Sequence, residues 1–211
     1  MRCLPAAVAA LLPAAALCGC SPAPLRLSET DPPQLHAVEF AFQHAVDDAH
    51  HHPELHWHSG WFGNALVNLG GTRTLGLCHH WQEWIYQQVA PAVRDVGWEV
   101  CGIAVNVGDS GEHHAVFVYN PQRLGPANLL LAPRTAPAYV LDAWRRGRAD
   151  IYRLDDWLAL PLRITVPPQL EDLPGDGPLP FAPPGSPPAA ATPAAPNREL
   201  PEKNTDRPHL P

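Results

Sequence analysis

The chain is short of positive charge. Its 211 residues hold 14 Lys+Arg against 21 Asp+Glu, and the expected loss of Arg2 with an N-terminal signal leaves a net charge of −8. A nucleic-acid partner requires a basic face to neutralise phosphates, so that class is excluded. Long apolar runs are missing too: Leu4 to Leu17 is too short to span a bilayer and gives way at once to Pro-rich sequence. Zinc-site motifs are absent, with no His-Glu-x-x-His and no Cys-x-x-Cys pair. Cysteine is scarce where it would matter. Of five, Cys3 and Cys18 leave with the signal and Cys20 has a separate use, so only Cys78 and Cys101 remain in the folded part. That rules out a disulfide scaffold, although two thiols outside the cytoplasm can still pair with each other.

What the chain does have begins at its N-terminus. Arg2 followed by the Ala/Leu-rich run to Leu17 reads as a secretory signal over residues 1–19. The end of the run, Leu17-Cys18-Gly19-Cys20, resembles the bacterial lipobox. The resemblance implies that Cys20 becomes the mature N-terminus and carries lipid, anchoring the protein to a membrane of the cell envelope. With Ser21 next, the outer membrane is the expected destination. Residues 20–33 then form a tether. At the other end, residues 167–211 hold 14 of the 27 prolines, including Pro183-Pro184 and Pro187-Pro188. Such composition lacks the apolar bulk for a core and reads as a disordered tail. Residues 34–166 contain all seven tryptophans and are long enough for one domain.

Within that domain the apolar spacing of Leu35, Val38, Phe42 and Ala45/Val46 predicts a helix over 34–48. A His-rich stretch follows from His50 to His58, then a short helix over 61–69. A further helix is expected over 78–90, with Pro91 just past its end. Strands are expected over 98–107, 114–119, 138–141 and 160–166. Helices first and strands after predict an α+β domain, its N-terminal helices packed on an antiparallel sheet.

Three segments carry the chemistry: Gly76-Leu77-Cys78, His113-His114-Ala115 and Val140-Leu141-Asp142. They supply a thiol at a helix start, an imidazole at a strand start and a carboxylate at a strand end. A helix N-terminus favours a thiolate through its unpaired N–H groups. An imidazole can take the thiol proton and return it to a leaving amine, and a carboxylate can fix the ring's tautomer. Strand alternation separates the two histidines: His114 goes with Val116 and Val118, His113 with Ala115 and Phe117. His114 directly precedes the apolar strand and is the expected base.

A cysteine opening a helix after a glycine, His-Ala opening a strand and Asp closing the next resemble the transglutaminase-like branch of the papain superfamily, over residues 78 to 142. The resemblance implies a papain/transglutaminase-like core and thiol-based acyl transfer or amide hydrolysis on a protein or peptide substrate; separately, no cofactor is expected. It carries over Cys78 as nucleophile, His114 as base and Asp142 as its orienting group. An oxyanion donor besides the Cys78 N–H is sought among Asn64, Asn68 and the indoles of Trp57 and Trp61, with Asn64 as the candidate named first.

Two readings from other classes stand beside this one. A non-catalytic envelope module on the same fold would follow if Cys78 and Cys101 were bonded. A metal-binding lipoprotein would use His50, His51, His52, His56 and His58, yet three consecutive histidines cannot face one site on a regular element. No metal is therefore assigned. Trp81 and Trp84 are expected in the core, and Asp155-Asp156 at a turn or helix cap.

Overall fold

The computed structural model describes residues 21–58, 76–109, 111–132, 134–160 and 163–173. The expected signal, Cys20, the 61–69 helix and most of the Pro-rich tail lie outside these residues.

Helix α1 (Pro33–His51) buries Leu35, Val38, Phe42, Ala45, Val46 and Ala49, the stripe its apolar spacing requires. Pro33 sits at its first position, where a missing N–H costs no bond. Helix α2 (Cys78–Asp95) packs against it through Trp81, Trp84, Ile85, Val89 and Val93. It runs past the boundary expected at 90, with Pro91 inside it. Pro91 is exposed while Ala90 and Val93 are buried, so apolar contact on one face carries the helix through the lost backbone bond.

The sheet has five strands in the order β4-β3-β2-β1-β5, every pairing antiparallel. These are β1 (Glu99–Val105), β2 (His113–Tyr119), β3 (Ala138–Asp142), β4 (Asp150–Arg153) and β5 (Gln169–Glu171). The α+β class with helices on an antiparallel sheet holds. Two strands differ from expectation. β4 follows directly on the 143–149 turn, and the last strand is 169–171 rather than 160–166, inside the stretch read as tail. A 3-10 helix (Pro126–Leu131) and a short α3 (Leu154–Leu158) complete the elements, and α3 opens on Asp155 and Asp156 as acidic first-turn residues. Residues 20–33 are not wholly a tether either, because Leu25 donates its N–H to the Ile151 carbonyl at 2.7 Å and packs with Leu27 on the core.

Alternation along the strands splits the core in two. Val116, Val118, Leu141 and Ile151 face α1 and α2, while Ala115, Phe117, Val140 and Tyr152 face Trp157 of α3 and the 3-10 helix. This split decides which histidine reaches the carboxylate.

Candidate active site

Cys78 is the first residue of α2 and is 4 % exposed. The turn leading into it is tight: a Cβ at Gly76 would stand 2.6 Å from the His56 carbonyl oxygen, so only glycine fits. The Gly76 carbonyl in turn accepts the Trp144 indole N–H at 2.8 Å. At the helix start, the Leu77 N–H donates to His80 Nδ1 at 3.3 Å. The thiol reaches the start of β2, with its sulfur 3.9 Å from the Glu112 carbonyl oxygen.

The expected pairing of Asp142 with His114 is not formed. In the observed register Val116 lies opposite Leu141, which sets Asp142 beside Ala115. Asp142 therefore shares a face with Ala115 and with His113 two residues back, a diagonal neighbour across the strands. His114 points to the opposite face. His113 Nε2 and Asp142 Oδ2 are 2.8 Å apart, both groups almost wholly buried. The same oxygen accepts the Trp157 indole N–H at 2.9 Å, and Oδ1 accepts the Arg145 backbone N–H at 3.2 Å.

Burial alone would depress the His113 imidazolium. The Asp142 charge and hydrogen bond, then a hydrogen bond with Cys78, overcome it and hold His113 up to about 9. Asp142 is held below the ordinary carboxylate value: burial opposes this, but His113, Trp157 and Arg145 outweigh it. Since Nε2 is committed to Asp142, Nδ1 is the ring nitrogen left for the thiol.

His114 is engaged at both ring nitrogens, Nδ1 with Glu171 at 3.1 Å and Nε2 with Glu112 at 2.8 Å. Despite burial, these carboxylates raise it to about 9. With neither nitrogen free, it cannot act as base without losing a partner. Glu171 also accepts the Gln82 amide at 2.8 Å, so β5 is clipped to α2 and β2 at this point. His79 lies 6.1 Å from His114, ring to ring, and burial followed by the His114 charge lowers it. Burial and His79 push His80 down to about 4.

Cys101 is a free thiol, as is Cys78. It lies opposite Phe117, four residues along β2 from His113, or about 13 Å at strand spacing and beyond the reach of a disulfide. Burial, with Asp172 and Glu99, pushes Cys101 up to about 12.

Of the oxyanion candidates, Asn64, Asn68 and Trp61 lie outside the described residues. The Trp57 indole N–H is already given to the Trp144 carbonyl at 2.6 Å. Trp81 and Trp84 are core residues, as expected. Among the described residues no group of three or more His, Cys, Asp or Glu is arranged to hold a metal ion. His50 bonds the Gly147 carbonyl and His51 the Asp47 carbonyl, each within 2.7 Å.

Sequence reasoning missed Trp157, Glu112 and Glu171. Parity along β3 was the available signal for His113: Asp142 falls on the Val140 face, but the register that sets this face against His113 is a tertiary fact. Compared with family models, curated proteins and solved structures, the chain matches none.

Proposed function

We propose that this chain is a thiol-dependent acyltransferase or amidase of the transglutaminase-like type, with Cys78 as nucleophile, His113 as base and Asp142 as the group that orients it. The observation that carries the reading is the buried His113, bonded to Asp142 through one nitrogen, with the Cys78 sulfur 3.9 Å from the carbonyl oxygen of the adjoining Glu112. The thiol stands at a helix N-terminus, where backbone N–H groups favour negative charge. His113 has already taken the thiol proton and stands as imidazolium, so the sulfur attacks the carbonyl carbon of a carboxamide as thiolate, and the Cys78 N–H is one donor for the oxyanion. The imidazolium then protonates the departing ammonia or amine. Water or a second amine, deprotonated by His113, releases the acyl group from sulfur and restores the thiol.

The substrate class is a protein or peptide at the cell envelope, and the protein is held there by lipid on Cys20. Among the described residues no helix is long and apolar enough to cross a membrane, so on this reading the lipid is the anchor.

p-Nitrophenyl acetate tests the chemistry without knowledge of the natural substrate. Attack by Cys78 expels p-nitrophenolate and leaves an acetyl thioester. The expected result is a burst of p-nitrophenolate equal to the protein concentration and an acetyl mass on the Cys78 peptide, both absent in Cys78→Ala. An undiminished burst in Cys78→Ala would overturn the reading by placing the reactive group elsewhere, and no burst in the wild type would overturn it in favour of a non-catalytic envelope module.

A further inference from the structure

We propose that Trp157 is a positioning residue of this centre: its indole N–H fixes the Asp142 carboxylate in the orientation that turns His113 towards Cys78. The proposal rests on the acyl-transfer reading above. Trp157 is fully buried, and its Nε1 donates at 2.9 Å to Asp142 Oδ2, the oxygen that holds His113. Its ring also stacks on the imidazole, with centroids 5.7 Å apart and planes at 30°. One side chain therefore touches both the orienting carboxylate and the base.

Four other indoles show that this is more than the routine satisfaction of a buried N–H. Trp57, Trp81, Trp84 and Trp144 each donate to a main-chain carbonyl. Trp157 instead donates to an ionised side chain. A carboxylate can turn about its last torsion, and donors on both oxygens remove that freedom. Arg145 N–H holds Oδ1, and Trp157 with His113 holds Oδ2. Without the indole N–H, Oδ2 is held by His113 alone, the very ring it must orient, so carboxylate and imidazole can swing together about the Arg145 contact. Geometry lost in this way shows up in rate, because the thiol and imidazole must stay aligned for proton transfer.

The discriminating variant is benzothienylalanine at position 157, introduced site-specifically. It keeps the shape of tryptophan and replaces the N–H with sulfur. Trp157→Phe serves as a second variant that also lacks the donor. The reading is the rate of Cys78 acetylation by p-nitrophenyl acetate, with thermal midpoints alongside, in wild type and in Asp142→Asn. A fall of about tenfold is expected, the size of one hydrogen bond to a charged group, with the isostere's midpoint close to wild type. In the Asp142→Asn background the isostere should cause no further fall, since its effect runs through that carboxylate. A wild-type rate in the isostere, with His113→Ala still slow, would overturn the proposal and leave the triad standing. An equal fall in both backgrounds would overturn it as well, placing the effect elsewhere. A wild-type rate in His113→Ala would remove the triad reading and this proposal with it.

Discussion

Two adjacent histidines of one strand meet different fates because their side chains leave the sheet on opposite sides. His113 meets Asp142, and His114 meets Glu112 and Glu171. The pair of substitutions His113→Ala and His114→Ala should therefore separate cleanly. The first should abolish acylation of Cys78, and the second should leave at least about a tenth of the wild-type rate, measured by p-nitrophenolate release. The pH dependence of stability has a definite sign here. His113 is raised from 6.5 to about 9, so its share of the ion pair is whole below 6.5 and is lost as pH climbs through 9. Asp142 is lowered from 3.8, so its share is present above that value and lost in acid. Asp142→Asn should thus destabilise most between pH 3.8 and 6.5, by about 3 kcal/mol for a broken buried pair, and least above about 9. Denaturant titrations at three pH values check this. A penalty that grew towards pH 10 would contradict the assignment.

At the level of elements, the two long helices were legible and the sheet edges were not. The stripe through Leu35, Val38 and Phe42 marks α1 without any tertiary knowledge, and Gly76 before Cys78 marks the start of α2. Pro91 misled because helix rules treat proline as a stop, whereas burial of Ala90 and Val93 overrides the local penalty. Replacing this exposed proline should show how large the penalty is: Pro91→Ala is expected to stabilise the fold by about 1–3 kcal/mol, seen as a raised thermal midpoint. β5 went unread because its three residues lie among prolines and depend on β1 and on the Glu171 contacts with His114 and Gln82. The β3–β4 turn makes its own demand. Gly147 has φ +64°, and a Cβ there would stand 2.6 Å from the Trp57 ring. Gly147→Ala should cost about 1–3 kcal/mol through strain and the clash together. The site was legible as a set of parts: thiol, imidazole and carboxylate were named, but the choice between His113 and His114 required the strand register.

The molecule as a whole places one sheet between two apolar layers and sets the candidate centre where α2, β2 and β3 converge. Cys78 comes from the helix layer, and Asp142 and Trp157 face the other layer, so the triad bridges the end of the sheet rather than lying on one face. The N-terminal segment adds a constraint on where the domain would sit. Leu25 is already bonded to β4. On the proposed lipid anchor at Cys20, the intervening chain spans at most about 18 Å, and the domain stays close to the bilayer surface. Cys20→Ser should move the protein from the membrane fraction to the soluble one and remove the acyl mass from the N-terminal peptide. Cys101, pushed up to about 12 by burial, gives a built-in reference for thiol chemistry. The most direct test of the central claim is the rate of iodoacetamide alkylation at Cys78 and Cys101, resolved by peptide mass, at neutral pH in wild type, His113→Ala and His114→Ala. The account predicts that Cys78 labels much faster than Cys101 and that only His113→Ala removes the advantage. Labelling of Cys78 that is indifferent to His113, or that collapses only in His114→Ala, would contradict it.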